Sequence, residues 1–203
     1  MDDAAALQAW RAGDRAAGRE LFGRWFLRLR RFFRDKIDEG ADDLAQATLL
    51  AALDKAEALR EDASFRAWMF TIARNQLIDA LRRSPRRAAA FDPSVVRACD
   101  LSNSPSRVIA AHDDRRMLLE ALRRVPLDAQ VVLELSYWER LSSEELAQIL
   151  GVSASAIRTR LQRARELVRA ELAAMGGDAR LAATDDDFDA WAARIHDVAH
   201  ESP

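Results

Sequence analysis

The sequence predicts an all-α protein made of two small helical domains joined by a flexible linker, with a short acidic C-terminal tail. Three observations support this. The 203 residues include only seven Gly and five Pro, against 49% apolar and 32% charged residues, and Ala, Leu and Arg are abundant. Apolar positions recur at helical spacing through most of the chain, with no strand-like alternation. That periodicity lapses over residues 84–114, where Pro85, Pro93 and Pro105 stand among several serines. The expected organisation is a first domain over residues 1–83, a linker over 84–114 with room for one helical turn, a second domain over 115–175, and an acidic extension over 176–203.

In the first domain, Phe22, Trp25, Phe26, Leu29 and Phe33 form an apolar stripe with arginines in the gaps, so residues 14–37 read as one amphipathic helix. Gly40 marks its end or sits just beyond it. A second helix is expected over residues 41–59, with Asp42 and Asp43 in the first turn, where the helix dipole favours anions. A third is expected over residues 64–83, with Ser64 as its N-cap and Phe65, Trp68, Met69 and Ile72 as its stripe. Regular helix resumes near Arg115. Pro126 is placed to open a helix in which Leu127, Val131, Leu135 and Trp138 share a face.

The sharpest motif lies over residues 142–172. Ser142 followed three residues later by Glu145 is a capping-box signature. Ala147 supplies a small side chain where two helices cross, and Gly151 supplies a residue free to take positive φ in the turn. Ile157 and Leu161 then plug the second helix into the core, and Ser153 caps it. This is helix-turn-helix spacing. With Ile157, Leu161, Ala164 and Val168 inward, the exposed positions are Arg158, Thr159, Gln162 and Arg163, flanked by Arg160 and Arg165. Arg and Gln near the start of such a helix form bidentate bonds to purine edges in the major groove.

Other classes of function are excluded. The longest apolar run, Leu49 to Leu53, is too short to cross a bilayer, and the start Met-Asp-Asp lacks a basic leader and an apolar signal core. Cys99 is the only cysteine, which suits a reducing cytoplasm. No Gly-rich phosphate loop, nucleophile elbow or metal-ligand cluster occurs, so no enzyme, cofactor or metal is expected. His112, His196 and His200 fall in or near the linker and tail. The formal charge is −2, from 31 basic residues (29 of them Arg) and 33 acidic ones, too little positive field for tight binding of nucleic acid by the chain alone. The charge is segregated, however: residues 153–170 carry a local +4 and residues 176–203 a local −5.

Two stretches resemble the extracytoplasmic-function class of bacterial RNA polymerase sigma factors. Asp42-Asp43-Leu44-Ala45-Gln46-Ala47-Thr48-Leu49, followed by Phe65-Arg66-Ala67-Trp68-Met69-Phe70-Thr71-Ile72-Ala73-Arg74-Asn75, is similar to the family's region two. Residues 118–172, with Gly151-Val152-Ser153 and the run from Ile157 to Arg165, are similar to its region four. The resemblance implies a subunit that binds core RNA polymerase through the clamp helices and flap, directs it to promoters and helps to open the DNA. It implies core contacts by Asp42, Asp43, Leu44, Gln46 and Thr48. The separated strand of the minus-ten element would be held by Arg66, Trp68, Arg74, Asn75, Arg82 and Arg83, with the loop over residues 58–64 completing the pocket. The minus-thirty-five element would be read by Ser153, Arg158, Thr159, Arg160, Gln162, Arg163 and Arg165. Aromatics at helical spacing more often pack inward, so by spacing alone Trp68 reads first as a core residue. A 31-residue linker spans roughly 30 Å typically and about 100 Å when taut, enough for sites one or two turns of DNA apart.

The chain departs from the family pattern at Ala47, where an acidic residue is common, and at Leu49 and Leu53, where aromatics are frequent. Phosphorylation of Thr48 would restore negative charge there, which leaves a regulatory kinase, like an anti-sigma factor, as an expected kind of partner. The tail carries Asp185-Asp186-Asp187 and then Phe188, Trp191, Ile195 and Val198 at helical spacing. It is expected to fray, or to form a short helix over the basic helix of residues 153–169 and restrain free DNA binding. The competing function is a stand-alone helix-turn-helix regulator whose first domain senses a ligand or dimerises.

Overall fold

The computed structural model describes residues 1–37, 39–56, 59, 64–83, 91–101, 114–176 and 188–190. Among them every regular element is helical: α1 (Asp3–Arg11), α2 (Arg15–Arg34), α3 (Ala41–Lys55), α4 (Phe65–Arg83), α5 (Ala98–Leu101), α6 (Asp114–Arg124), α7 (Leu127–Tyr137), α8 (Ser143–Leu150) and α9 (Ala154–Ala174). They fall into two compact units, one of Met1–Phe91 with Gln148–Leu150 and one of Asp92–Ala147 with Gly151–Pro203.

The first unit is organised around Trp25. Its indole is fully buried and meets Phe65 and Phe70 of α4 edge-on, with ring centroids 5.4 and 5.3 Å away. Phe32, two turns further along the same face of α2, extends the cluster to Phe70 at 5.7 Å. Edge-to-face packing suits the aromatic quadrupole and adds to the burial of apolar area. A buried indole N–H needs an acceptor, and Asp3 of α1 provides it at 3.0 Å while also taking Arg24 at 3.0 Å and Arg28 at 3.5 Å. Lys36 is also fully buried. Its ammonium donates to the Phe32 carbonyl at 2.6 Å and sits 3.9 Å from the Phe32 ring centroid.

Several helix ends match the sequence signals. Asp14 caps α2 by accepting from Ala16 and Ala17 N–H, and Ser64 accepts from Ala67 N–H at the start of α4. Other features differ from expectation. Helix α1 was not foreseen: Asp2 caps it, and it buries only Ala6 and Leu7, too few positions to show a period. Gly40, at φ 82°, precedes α3 as its N-cap and is not the end of α2, which closes at Asp35. Helix α3 stops at Lys55, short of residue 59.

In the second unit α6, α7 and α9 enclose a core that includes Leu118, Leu122, Val131, Leu135, Ile157, Leu161 and Val168. Part of the expected linker belongs here. Leu127 and Asp128 donate their N–H groups to the carbonyls of Val96 (2.8 Å) and Pro93 (3.1 Å), Arg97 pairs with Pro126 in an isolated bridge, and α5 packs on α6. Residues 84–90 and 102–113, including Pro85, Pro105 and His112, lie outside the described residues, as do residues 57–58, 60–63, 177–187 and 191–203. Those last stretches hold most of the expected pocket loop, as well as Asp185, Asp186, Asp187, Trp191, Ile195, His196, Val198 and His200.

Two glycines of α2 offer opposite outcomes. A Cβ on Gly18 would stand 2.2 Å from the Trp10 ring, whereas one on Gly23 meets nothing within 4 Å. Gly18→Ala is therefore expected to cost about 1–3 kcal/mol, and Gly23→Ala to gain about 0.5–1 kcal/mol. Urea unfolding of the full chain measures both.

Candidate nucleic-acid and polymerase interface

Three exposed helix faces carry most of the residues singled out by the sequence. On α9 the order of burial follows the helical period: Ile157, Leu161, Ala164 and Val168 are inside, and Arg158, Thr159, Arg160, Gln162 and Arg163 are exposed. The preceding turn is built as its residues require. Ser142 accepts from Glu145 N–H at 3.2 Å, Glu145 returns the bond to Ser142 N–H at 2.8 Å, and Gly151 takes φ 65°. Ser153 uses its hydroxyl to accept from Ala156 N–H, so it acts as a cap at a helix N-terminus, where the backbone dipoles favour an anion. Glu144 is held below the usual carboxylate range by its own backbone N–H, the Ser142 side chain and the charge of Arg158.

Arg165 differs from the other arginines expected on this helix. Its Nε donates to the Tyr137 hydroxyl at 2.6 Å and lies 3.1 Å from Asp189, and its side chain is only 19% exposed. In this structure it is an intramolecular anchor and does not stand on the open face, because Tyr137 and Asp189 hold it.

On α4, Trp68, Asn75 and Arg82 are seven residues apart in turn and so share one face. Asn75, Arg82 and Arg83 are exposed. Trp68 is half-buried, 5.7 Å from the Phe65 ring, and thus belongs partly to the core and partly to the face. Arg66 and Arg74 lie toward the packed side, and the Nε of each is buried.

On α3, Asp43 and Gln46 are exposed, and Asp42 is exposed while paired with Arg30 of α2 at 2.6 Å. Leu44 is half-buried. Thr48 is a correction: it is fully buried, and its hydroxyl donates to the Leu44 carbonyl at 2.7 Å. In this fold it offers no surface to a partner and no hydroxyl to a kinase. The residue that takes its place on the exposed face is Leu50, 62% exposed and seven residues after Asp43. Spacing from Asp43 was the available signal, hidden by the run of apolar residues around it.

Among the described residues no group of His, Cys, Asp and Glu is arranged to hold a metal, and no helix is long and apolar enough to cross a membrane. Gly151→Ala forces a side chain into the left-handed region at a cost of about 1–2 kcal/mol. Native-state hydrogen exchange is expected to show that loss in the amides of α8 and the first turns of α9.

Residues 20–87 match Sigma-70 region 2, and residues 115–168 match Sigma-70, region 4. The chain is 33% identical over 141 residues to the ECF RNA polymerase sigma factor SigL of Mycobacterium tuberculosis (strain ATCC 25618 / H37Rv), covering 67% of this chain and 76% of that protein. It is 36% identical over 135 residues to the probable RNA polymerase sigma factor RfaY of Xanthomonas campestris pv. campestris, covering 65% of this chain but only 34% of that longer relative. The sigma factor RpoE of Bartonella quintana, solved in complex with the anti-sigma factor NepR, superposes with a TM-score of 0.56 at 26% identity, over 73% of this chain and 91% of that one.

Proposed function

The chain belongs to the extracytoplasmic-function (ECF) family of RNA polymerase sigma factors, and from that premise we propose how its exposed faces divide the work of initiation. A sigma factor binds core RNA polymerase and directs it to promoter DNA. The α3 face of Asp43, Gln46 and Leu50, with Asp42 beside it, receives the clamp helices: carboxylates and an amide meet basic and polar partner groups around one apolar contact. The α4 face receives the unpaired strand of the downstream element. Opening DNA requires substitute partners for unstacked bases, which an aromatic ring and an amide supply while arginines hold phosphates. The α9 face reads the upstream element in the major groove through Arg158, Gln162 and Arg163.

One observation carries this reading above all: two units in one chain, each presenting a differently equipped helix face, on a chain whose net charge of −2 gives little affinity for DNA alone. Selectivity then arises when both units are mounted on the polymerase. The protein supplies binding and positioning and no catalytic group of its own, and it acts in the cytoplasm where the polymerase is. Because the related RpoE is solved with an anti-sigma factor, a protein of that kind is the regulatory partner we propose. A stand-alone regulator would need no polymerase contact, and the match to both sigma regions disfavours it.

Transcription by purified core enzyme with and without the chain tests the reading, and start-site mapping after overproduction supplies the promoter. The three faces are expected to separate in such assays. Leu50→Glu lowers affinity for core enzyme at least about tenfold, a loss of roughly 1.4 kcal/mol. Asn75→Ala leaves core affinity intact but reduces permanganate reactivity of the opened strand. Arg158→Ala relaxes discrimination at one upstream base pair by about 1–3 kcal/mol.

A further inference from the structure

The tail segment at residues 188–190 lies against the second unit in a manner its acidity alone does not explain. Phe188 is 1% exposed and lines a small cleft together with Leu118, Leu122, Leu133, Tyr137 and Trp138. Its ring is 5.9 Å from that of Tyr137, and the Arg169 guanidinium stands 5.5 Å from its centroid. Next to it, Asp189 accepts from the Tyr137 hydroxyl and pairs with Arg165 at 3.1 Å. Burial and the bond to Asp189 push the Tyr137 hydroxyl above the usual phenol range, against the pull of Arg165. An exposed ion pair is weak by itself. Here the neighbouring phenyl ring is withdrawn from water, so the carboxylate is delivered to the arginine by a hydrophobic anchor.

Arg165 and Arg169 lie seven and eleven residues beyond Arg158, on the same flank of α9. We propose that Phe188 and Asp189 form an intramolecular clip that withholds Arg165 and Arg169 from DNA phosphates, so that the tail limits the affinity of the free chain for DNA. This rests on the reading of α9 as the DNA-facing helix. The ring of Phe188 covers one guanidinium and the carboxylate of Asp189 neutralises the other, so a phosphate must displace both to gain the flank. In the sequence Asp185-Asp186-Asp187 directly precede the anchor, adding like charge to the competitor.

The test uses the full chain and a random-sequence DNA duplex, with affinity followed by fluorescence anisotropy over about 50–200 mM salt. Asp189→Asn is close to isosteric at a partly exposed position, and Phe188→Ala removes the anchor. Each is expected to tighten binding about three- to tenfold at the lowest salt. Each should also steepen the slope of log K against log salt by about 0.9 for every phosphate newly held. Adding Arg165→Gln to Asp189→Asn should erase the gain. Unchanged affinity, a gain without a steeper slope, a gain that survives Arg165→Gln, or no duplex binding by any form overturns the clip. If Phe188→Ala fails to fold, as judged by circular dichroism, the Asp189→Asn pair decides. Promoter-directed transcription by wild-type holoenzyme is measured in parallel. Success there with any of the overturning results rejects the clip alone, whereas failure there rejects the sigma-factor reading on which it rests.

Discussion

Hiding an indole from water obliges the chain to find a partner for its N–H, and much of the first unit follows from that obligation. Trp25 brings α2 against α4 through Phe65 and Phe70. Its N–H fixes α1, because the acceptor is Asp3. The same carboxylate then gathers Arg24 and Arg28, so that three positive or donating groups converge on one residue. Helix α1 is only nine residues long, too short to be stable alone in water. It persists because this bond and the burial of Ala6 and Leu7 tie it to α2. With that frame set, α3 and α4 turn their remaining faces outward, and these are the faces that meet polymerase and DNA in the proposed function.

Features encoded within one turn of helix were legible in the sequence. The caps at Ser64, Ser142 and Ser153 and the left-handed turn at Gly151 each rest on chemistry three or four residues wide. The inward and outward sides of α9 were equally readable, since its charged and apolar positions alternate with the helical period. Helix α3 was harder. Alanine and leucine occupy most of its middle, so nothing marked the side carrying Thr48 as the inner one or that carrying Leu50 as the outer. Prolines were misleading in one segment: Pro93 reads as a breaker, yet its carbonyl receives Asp128 and helps to seat the start of α7. Arg165 could not be placed from its own helix, because the residues that claim it are Tyr137, 28 positions before it, and Asp189, 24 positions after it.

The second unit shows how a polar interior can sit beside a reading surface. Gln130 and Glu134 are both buried on α7 and bonded to each other at 2.8 Å. Glu134 also lines the small cleft beside Phe188. Buried polar groups are costly unless satisfied, and such pairs favour one arrangement of neighbours over others. Helix α7 thus forms a wall of this unit, with α9 packed along it and its far end offering Tyr137 to the tail.

The contact between Trp10 and Gly18 has a consequence for kindred chains. An indole edge occupies the space where any other amino acid would place its first side-chain carbon, so the seat of the opening helix is carved by a missing atom. A relative bearing alanine or serine at the equivalent site has no such notch and needs a smaller residue in place of the indole, or another seat for its leading segment. That single locus therefore offers a simple diagnostic for sorting homologues by whether their N-terminal architecture follows the present plan.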